Sequence, residues 1–422
     1  MVYSQTLVVQ KTYRNIMKSS IRLFFKNFFP SNVPFIMLFF ISISSSMLPI
    51  LLGAIFLHQN EFLSGVTQNT KLNIYGLTLG AYFLGSTVGG LICGYLADRY
   101  GEKKILFYFF LGAIIATSLG IYSLITINLS IFILSKILEG FTLGRVAIMS
   151  LLSHIKESKT EIFRKTEIMN AGGLFIGPVI CGFLINFTGT VPLYYYATPL
   201  FLILAMKIMN FTLIGPLQPV ANESEKEEPS AEKNTYNHPV FKEFFLYQLA
   251  WYFYFLTIVP FAMVKLGFNS YQIGVLFSSM VVFYMLALNL TNKLPSTKLE
   301  SLAMKKLSVC TIIASLLYVS YFGNYLTFIL GNVCIIFAAS VLMPLYLSTM
   351  SKLSSEMNHG VTMGLQASII GICMAAASFL SGPLLGLSIN LPFYIGALLM
   401  LLLYYFFCYQ NVPALENLSQ EQ

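Results

Sequence analysis

Apolar stretches of about twenty residues recur along the chain, near 33–57, 73–97, 105–126, 129–151, 166–188, 192–215, 241–265, 271–292, 305–325, 327–350, 361–388 and 391–410, twelve in all. A bilayer core about 30 Å thick is crossed by roughly twenty helical residues, so each run is long enough to span it. The 422 residues are 56% hydrophobic and 10% charged, with mean hydropathy +0.74. One soluble core cannot hide that much apolar surface. The chain therefore reads as an all-α integral membrane protein with twelve transmembrane helices.

Residues 1–32 form a basic segment in which Lys11, Arg14, Lys18, Arg22 and Lys26 recur every three or four residues, with Ile21, Phe24, Phe25 and Phe28 nearby. That spacing suits a helix lying on the membrane surface, or a basic tail that only sets topology. No short apolar stretch ending in a small-residue cleavage site precedes the first run, which is expected to be retained. Lys and Arg in the short loops orient the chain. Arg99, Lys103, Lys104, Lys156, Lys159, Arg164, Lys165, Lys293, Lys298, Lys305 and Lys306 fall on the side of the N-terminus, against little beyond Lys71 and Lys265 opposite. Both termini are expected in the cytoplasm, and the net charge of +8 is mostly a topology signal. Nucleic-acid binding is not expected, because no basic soluble domain is present.

All six cysteines lie in apolar runs and read as small core residues. The four histidines lie outside or at the ends of the runs and lack metal-ligand spacing. No metal, cofactor or enzymatic centre is expected, since a membrane-embedded enzyme needs a nucleophile–base or metal constellation. Between the sixth and seventh runs the composition changes to PLQPVANESEKEEPSAEKNTYNHP, too poor in apolar surface to fold. This divides the chain into a six-helix bundle over 33–215, a cytoplasmic linker over 216–240, a second bundle over 241–410 and a cytoplasmic tail over 411–422. The fifth run of each half carries Gly-Pro, at Gly177-Pro178 and Gly382-Pro383. Two related halves with a site between them are a common transporter plan.

The loop after the second run, GYLADRYGEKK, holds the only aspartate of the chain, Asp98. It resembles the motif between helices 2 and 3 of the major facilitator superfamily, with Gly94, Leu96, Asp98, Arg99, Gly101 and Lys103 matching and Glu102 where that family usually has a basic residue. The fourth run, LSKILEGFTLG, is similar to the family pattern with Lys136 in place of Arg, Glu139 in place of Gln, and Gly140 matching. The fifth run resembles the G-P-x-x-G-G motif of drug:proton antiporters, with Gly177, Pro178 and Gly182 present and Cys181 replacing the first Gly of the pair. The resemblance implies the major facilitator fold, two pseudo-symmetric six-helix bundles that rock about a midplane site lined by helices 1, 4, 7 and 10. It also implies a gate at Asp98. The carboxylate would accept hydrogen bonds from Arg99, Lys103 or the free amides starting helix 11 while the cytoplasmic side is closed. The bland alternative is a solvated loop charge.

Ionisable residues inside apolar runs are costly unless they pair or face water. Lys136 and Glu139 are three residues apart and able to pair, whereas Arg145 falls roughly 180° from Lys136 at about 100° per residue. Lys136 and Glu139 are assigned to the central cavity, with a self-satisfying pair as the alternative, and Arg145 to the gate beside Asp98. Glu139 is the expected proton carrier, with Glu167 a weaker candidate, and Lys207 is read as snorkelling to the interface. Gln248, Trp251 and Tyr252 suit a substrate wall or core packing. Ser42, Ser44, Ser45, Ser46, Asn332 and Ser340 would add polar lining. Gly177, Pro178, Gly182, Gly382 and Pro383 are expected at the seam between halves.

The function expected is secondary active transport of a small organic solute, proton-coupled and monomeric, in a bacterial inner membrane. Efflux is favoured by the motif in the fifth run. The alternatives are a proton-coupled importer of a metabolite or nutrient of the amino acid, nucleoside or siderophore class, and a non-transporting membrane sensor. Protons, the solute and the lipid bilayer are the partners expected.

Overall fold

The computed structural model describes residues 32–58, 62–153, 159–188, 196–217, 238–291, 301–322, 324–353 and 359–409. The basic N-terminal segment, most of the linker and the C-terminal tail lie outside the described residues, as do the side chains of Asp98 and Glu167.

The first bundle contains α1 (Asn32–Leu57), which closes in a π-helical turn over Ala54–His58. It continues with α2 (Gln68–Tyr100), α3 (Glu102–Ile125), α4 (Leu129–Phe141), α5 (Arg145–Ser153), α6 (Lys159–Thr188) and α7 (Ala197–Leu213). The second holds α8 (Pro239–Lys265), α9 (Ser270–Thr291), α10 (Leu302–Phe322), α11 (Tyr325–Leu353), α12 (His359–Leu387) and α13 (Leu391–Tyr409). Ten of these helices are long and apolar enough to cross a bilayer, α7 is a shorter apolar helix, and the fourth span is divided between α4 and α5.

That division is the one departure from the twelve expected helices, and its cause is local. Gly144 adopts φ +68, a left-handed conformation that ends α-helices and that residues with a Cβ resist. Just before it the Thr142 hydroxyl donates to the Leu138 carbonyl at 2.7 Å, a side-chain bond that competes with the helix ladder. The α2–α3 corner uses the same device at Gly101, with φ +88.

The two bundles have different interiors. In the first, helices approach until backbones touch: a Cβ on Gly140 would lie 2.0 Å from the Tyr82 carbonyl oxygen of α2, and one on Gly177 would lie 2.1 Å from Ser46 Oγ of α1. Small residues permit such close packing where lipid supplies no hydrophobic drive between helices. In the second, aromatic rings fill the space. Phe261 stacks on Phe328 at 5.4 Å and meets Phe393 edge-on at 4.8 Å.

The bundles meet along two helix pairs, α2 with α12 and α6 with α9. A Cβ on Gly382 would sit 2.8 Å from the Leu72 carbonyl oxygen, and one on Gly182 would sit 2.5 Å from that of Ser270. These contacts, with Gly53 against Val259 and Met263, gather at the end of the molecule formed by the α1–α2, α6–α7 and α8–α9 connections. On α2 they run from Asn69, beside Gly386, to Thr87, beside Gly371. Beyond that, Gly89 packs on Phe141 and Gly90 and Gly94 pack on Val146, all within the first bundle. Among the described residues, no glycine on α2 beyond Thr87 meets the other half.

Candidate functional site

Glu139 projects from α4 into the first bundle. Its Oε2 accepts from Lys136 Nζ at 2.6 Å, and its Oε1 accepts from Lys207 Nζ of α7. Lys207 Nζ also donates to Thr117 Oγ1 of α3 at 2.7 Å. Lys136 is fully buried, with Glu139 at 5% and Lys207 at 6% exposure. The Lys136 ammonium also lies 5.3 Å from the centroid of the Phe132 ring. Two ammoniums thus share one carboxylate, leaving the buried cluster with an excess positive charge.

A void of about 10 Å³ adjoins it, between Ser44, Phe110, Glu139, Thr142, Lys207 and Asn210. Asn210 is buried, and its Oδ1 accepts no hydrogen bond among the described residues. A space of that size holds at most about one water. An organic solute does not fit there.

Lys136 and Glu139, expected in the central cavity or as a self-satisfying pair, are bonded to each other and to Lys207 of α7. Gly140 turns the neighbouring face of α4 onto α2, so the carboxylate, one residue earlier and about 100° round, faces α3 and α7 instead. Lys207 does not snorkel; it is the third member of the cluster. The serines of α1 are also turned inward. Ser42 Oγ donates to Asn170 Oδ1 at 2.8 Å, Ser46 Oγ to the Gly173 carbonyl at 3.2 Å, and Ser44 Oγ to the Phe40 carbonyl at 2.8 Å. Ser45 bonds back to the Ser42 carbonyl.

In the second half, Asn332 is buried, accepts from Tyr254 and donates to the Phe328 carbonyl at 2.6 Å. Gln248 is 1% exposed and its Nε2 approaches Met343 Sδ at 3.2 Å. Ser340, also buried, donates to the Phe337 carbonyl. These three side chains are bonded within the bundle. Trp251 is half-buried and stacks on Phe255 at 5.9 Å. Tyr252 is also half-buried.

Arg145, the first residue of α5, is exposed and forms no ion pair or hydrogen bond among the described residues. In the loop motif, Gly94 accommodates Val146 and Gly101 makes the turn. Leu96 packs against the core around Cys93 and Phe109. Arg99 reaches Tyr95 Oη at 3.4 Å. Lys103 donates to the carbonyls of Gly215 and Leu217, just past the end of α7, at 3.1 and 2.8 Å. Glu102, the departure from the motif, accepts from Ser150 Oγ of α5 at 3.0 Å. Of the seam set, Gly182 and Gly382 meet the other half, and the carbonyl of Pro178 lies against Gly274. Pro383 lies within α12. Gly177 instead packs on α1.

Sequence reasoning missed Lys207, Thr117 and Asn210. Lys207 carried a usable signal, as the single cation inside the sixth run.

The sequence profile of the Major Facilitator Superfamily matches residues 34–304, more than half of the chain. The chain belongs to this superfamily. A tetracycline resistance protein, class H, of Pasteurella multocida is 26% identical over 227 residues, 51% of this chain and 54% of that relative. The alignment thus spans about half of that relative's length. A putative metabolite transport protein of Bacillus subtilis is 32% identical over 112 residues, covering 25% of this chain and 22% of its own. Among solved structures, the human organic anion transporter MFSD10 superposes with TM-score 0.66 at 15% identity, covering 90% of this chain and 98% of that one. A D-xylose–proton symporter superposes with TM-score 0.68 at 11% identity, covering 89% and 96%. The facilitator fold, two six-span bundles in a multi-pass membrane protein, is established by these matches.

Proposed function

We propose that this transporter moves a small organic solute by proton-coupled alternating access, as an exporter, through a bacterial inner membrane with both termini in the cytoplasm. It acts as a monomer in this reading. The observation that carries the coupling is the buried Lys136–Glu139–Lys207 cluster. A carboxylate in the membrane interior is retained where it pairs and works, and here its partners sit on two different spans. Any rearrangement of α7 against α4 that draws one ammonium away changes how strongly Glu139 holds a proton. Solute binding that shifts this arrangement would link the two fluxes.

Export is supported by the Gly-Pro motif of α6 and by the likeness to the tetracycline resistance protein. With the termini cytoplasmic, the end where the glycine contacts of the seam gather faces outward. In this reading Asp98 latches the opposite end to the start of α12 when the transporter turns outward. Import of a metabolite is the second reading, favoured by the absence of an acidic residue on α1 and by the likeness to the metabolite transport protein and the sugar–proton symporter.

Purified protein in proteoliposomes, offered a panel of labelled solutes with and without an imposed pH gradient, tests the proposal. Gradient-driven accumulation of a panel member is expected. Glu139→Gln should abolish it while exchange of labelled for unlabelled solute continues, since exchange needs no net proton movement. Accumulation by Glu139→Gln under a proton gradient alone removes Glu139 from the coupling.

A further inference from the structure

We propose that one water molecule, held between Lys207 and Asn210, carries the coupled proton out of the Lys136–Glu139–Lys207 cluster, and that Asn210 is the residue that positions it. This rests on the proton-coupled reading above and names the route its proton takes.

The void beside the cluster suits a small molecule that both donates and accepts. Asn210 is 1% exposed, and its Oδ1, on a side chain that lines the void, accepts no hydrogen bond among the described residues. Its Nδ2 donates to the Met37 carbonyl at 3.4 Å, which fixes the way the amide is turned. Lys207 lies three residues earlier on the same face of α7. Its ammonium has three hydrogens. Glu139 and Thr117 take two of them, and Lys136 holds the other carboxylate oxygen. Ser44 and Thr142 also line the void and give their hydroxyl protons to the carbonyls of Phe40 and Leu138, so their oxygens remain able to accept. A water there accepts from Lys207 and donates to Asn210 and to one hydroxyl, the bonding typical of a buried water, and the space of about 10 Å³ fits one such molecule. A metal cation would meet two ammoniums, and an anion would meet Glu139 and the amide oxygen. Neither suits the site.

The void also has a direction. On α3, which starts at the Gly101 corner, Phe110 and Ala113 precede Thr117, whereas on α4 and α7, which run back toward that corner, Thr142 follows Glu139 and Asn210 follows Lys207. The void therefore lies on the corner side of the cluster, away from the end where the seam glycines gather. It also lies at the break in the fourth span. Thr142 and Leu143 are half-buried and belong to the break, which leads directly to the exposed Arg145. The Phe110 ring stands at the same point, its Cζ 3.6 Å from where a Cβ on Gly144 would be. The interruption of α4 thus brings the protein surface within a few residues of a buried carboxylate.

The step is a relay. An N–H bond of Lys207 breaks toward the water, its electron pair staying on nitrogen, and that nitrogen then takes the proton of Glu139 through its contact with Oε1. The water passes one of its own protons to solvent at the break. The ammonium and the water are restored, and the carboxylate is left charged.

X-ray radiolysis of the full-length protein in detergent tests the water directly. Radiolysis makes hydroxyl radical from bound water as well as bulk water, so a ring closed to bulk solvent is oxidised only where a water adjoins it. Phe110 is 2% exposed, and Phe328 and Phe393, fully buried in the second bundle, are the reference rings. Mass spectrometry is expected to find Phe110 oxidised several-fold faster than either reference. Asn210→Leu fills the space without an acceptor, whereas Asn210→Ala leaves room for a second water in place of the amide. Phe110 oxidation should fall several-fold in Asn210→Leu and persist in Asn210→Ala. Gradient-driven accumulation in proteoliposomes should follow the same order, falling roughly tenfold or more in Asn210→Leu, as when a positioned proton-transfer group is lost, and being largely kept in Asn210→Ala. A side chain that only packs gives the opposite order, because Ala opens a cavity that Leu fills. Both variants are first required to elute as monodisperse protein, and the wild-type labelling stands without them. Phe110 oxidised no faster than the references, equal labelling in Asn210→Leu, or accumulation better kept by Leu than by Ala overturns the proposal. The expected labelling without gradient-driven accumulation by the wild type rejects the coupling reading, whereas accumulation with Phe110 unlabelled rejects the water.

Discussion

The two bundles solve the same packing problem with different chemistry. In the first, buried polar and charged groups pair with one another in sets such as Lys136–Glu139–Lys207–Thr117 and Ser42–Asn170, while glycines bring backbones into contact. In the second, rings carry the interior, and the buried pair Tyr254–Asn332 is neutral. Glu243 is buried there too, but it lies within the first turns of α8, near an end of the span. Ionic interiors depend on complete sets of partners, since losing one strands a charge. Aromatic interiors lose area by degrees. The first bundle is thus suited to respond to a changed charge and the second to act as a stiff counterpart.

The largest effect that would sharpen this contrast is expected from Glu139→Leu, which leaves two buried ammoniums facing each other. A loss of about 3–5 kcal/mol is anticipated, read as a drop in the temperature at which detergent-solubilised protein stays monodisperse. Adding Lys207→Met should restore part of it. A Glu139→Leu protein as heat-resistant as the parent would end the distinction between the interiors.

Next come paired glycine substitutions. Gly140→Ala drives a methyl into the Tyr82 carbonyl and should cost about 1–3 kcal/mol. Gly396→Ala on α13 meets ordinary contacts, the nearest at 3.4 Å. Gaining up to about 1 kcal/mol of helix propensity, it should be neutral or stabilising. The same heat-challenge assay compares them, and equal losses would show that the second bundle is packed as tightly as the first.

Tyr254→Phe removes the hydroxyl that serves Asn332 and should lower stability by about 1–1.5 kcal/mol, well short of the Glu139 effect. The smallest change is expected for Lys103→Ala, which gives up two bonds to the end of α7. A loss of about 1 kcal/mol or less, with solute binding unaffected, would fit a bracing role. Impaired exchange in liposomes at normal stability would return Lys103 to the gate.

The helices were legible because apolar length alone decides whether a segment can cross a bilayer. The break in the fourth span was not, since Gly144 resembles the other glycines of apolar runs until its backbone conformation is seen. Lys136 and Glu139 could be paired from their three-residue spacing, but their direction could not. Which face of α4 turns inward depends on Gly140 meeting α2, a contact made across the bundle. The link from Glu139 to Lys207 spans 68 residues and leaves no local pattern. The serines of α1 failed for a related reason: small polar residues serve equally to line a cavity or to let two helices close. The glycines of the seam divided, with Gly182 turned to α9 and Gly177 to α1, because five residues of helix place them about 140° apart.

The charged cluster also imposes an order on synthesis. Lys136 and Glu139 enter the bilayer with the fourth span, where each ion carries an insertion cost of about 2.5–3.5 kcal/mol near the middle. Their spacing lets them enter as a pair and so lowers that cost. The second ammonium arrives only with α7, at Lys207, after one further span, α6, has been made. Until then Glu139 has half of its partners, and Thr117 waits on α3. The first bundle therefore closes around its carboxylate as the sixth span docks, and a nascent chain halted before residue 207 would hold an interior still open to exchange with lipid and water.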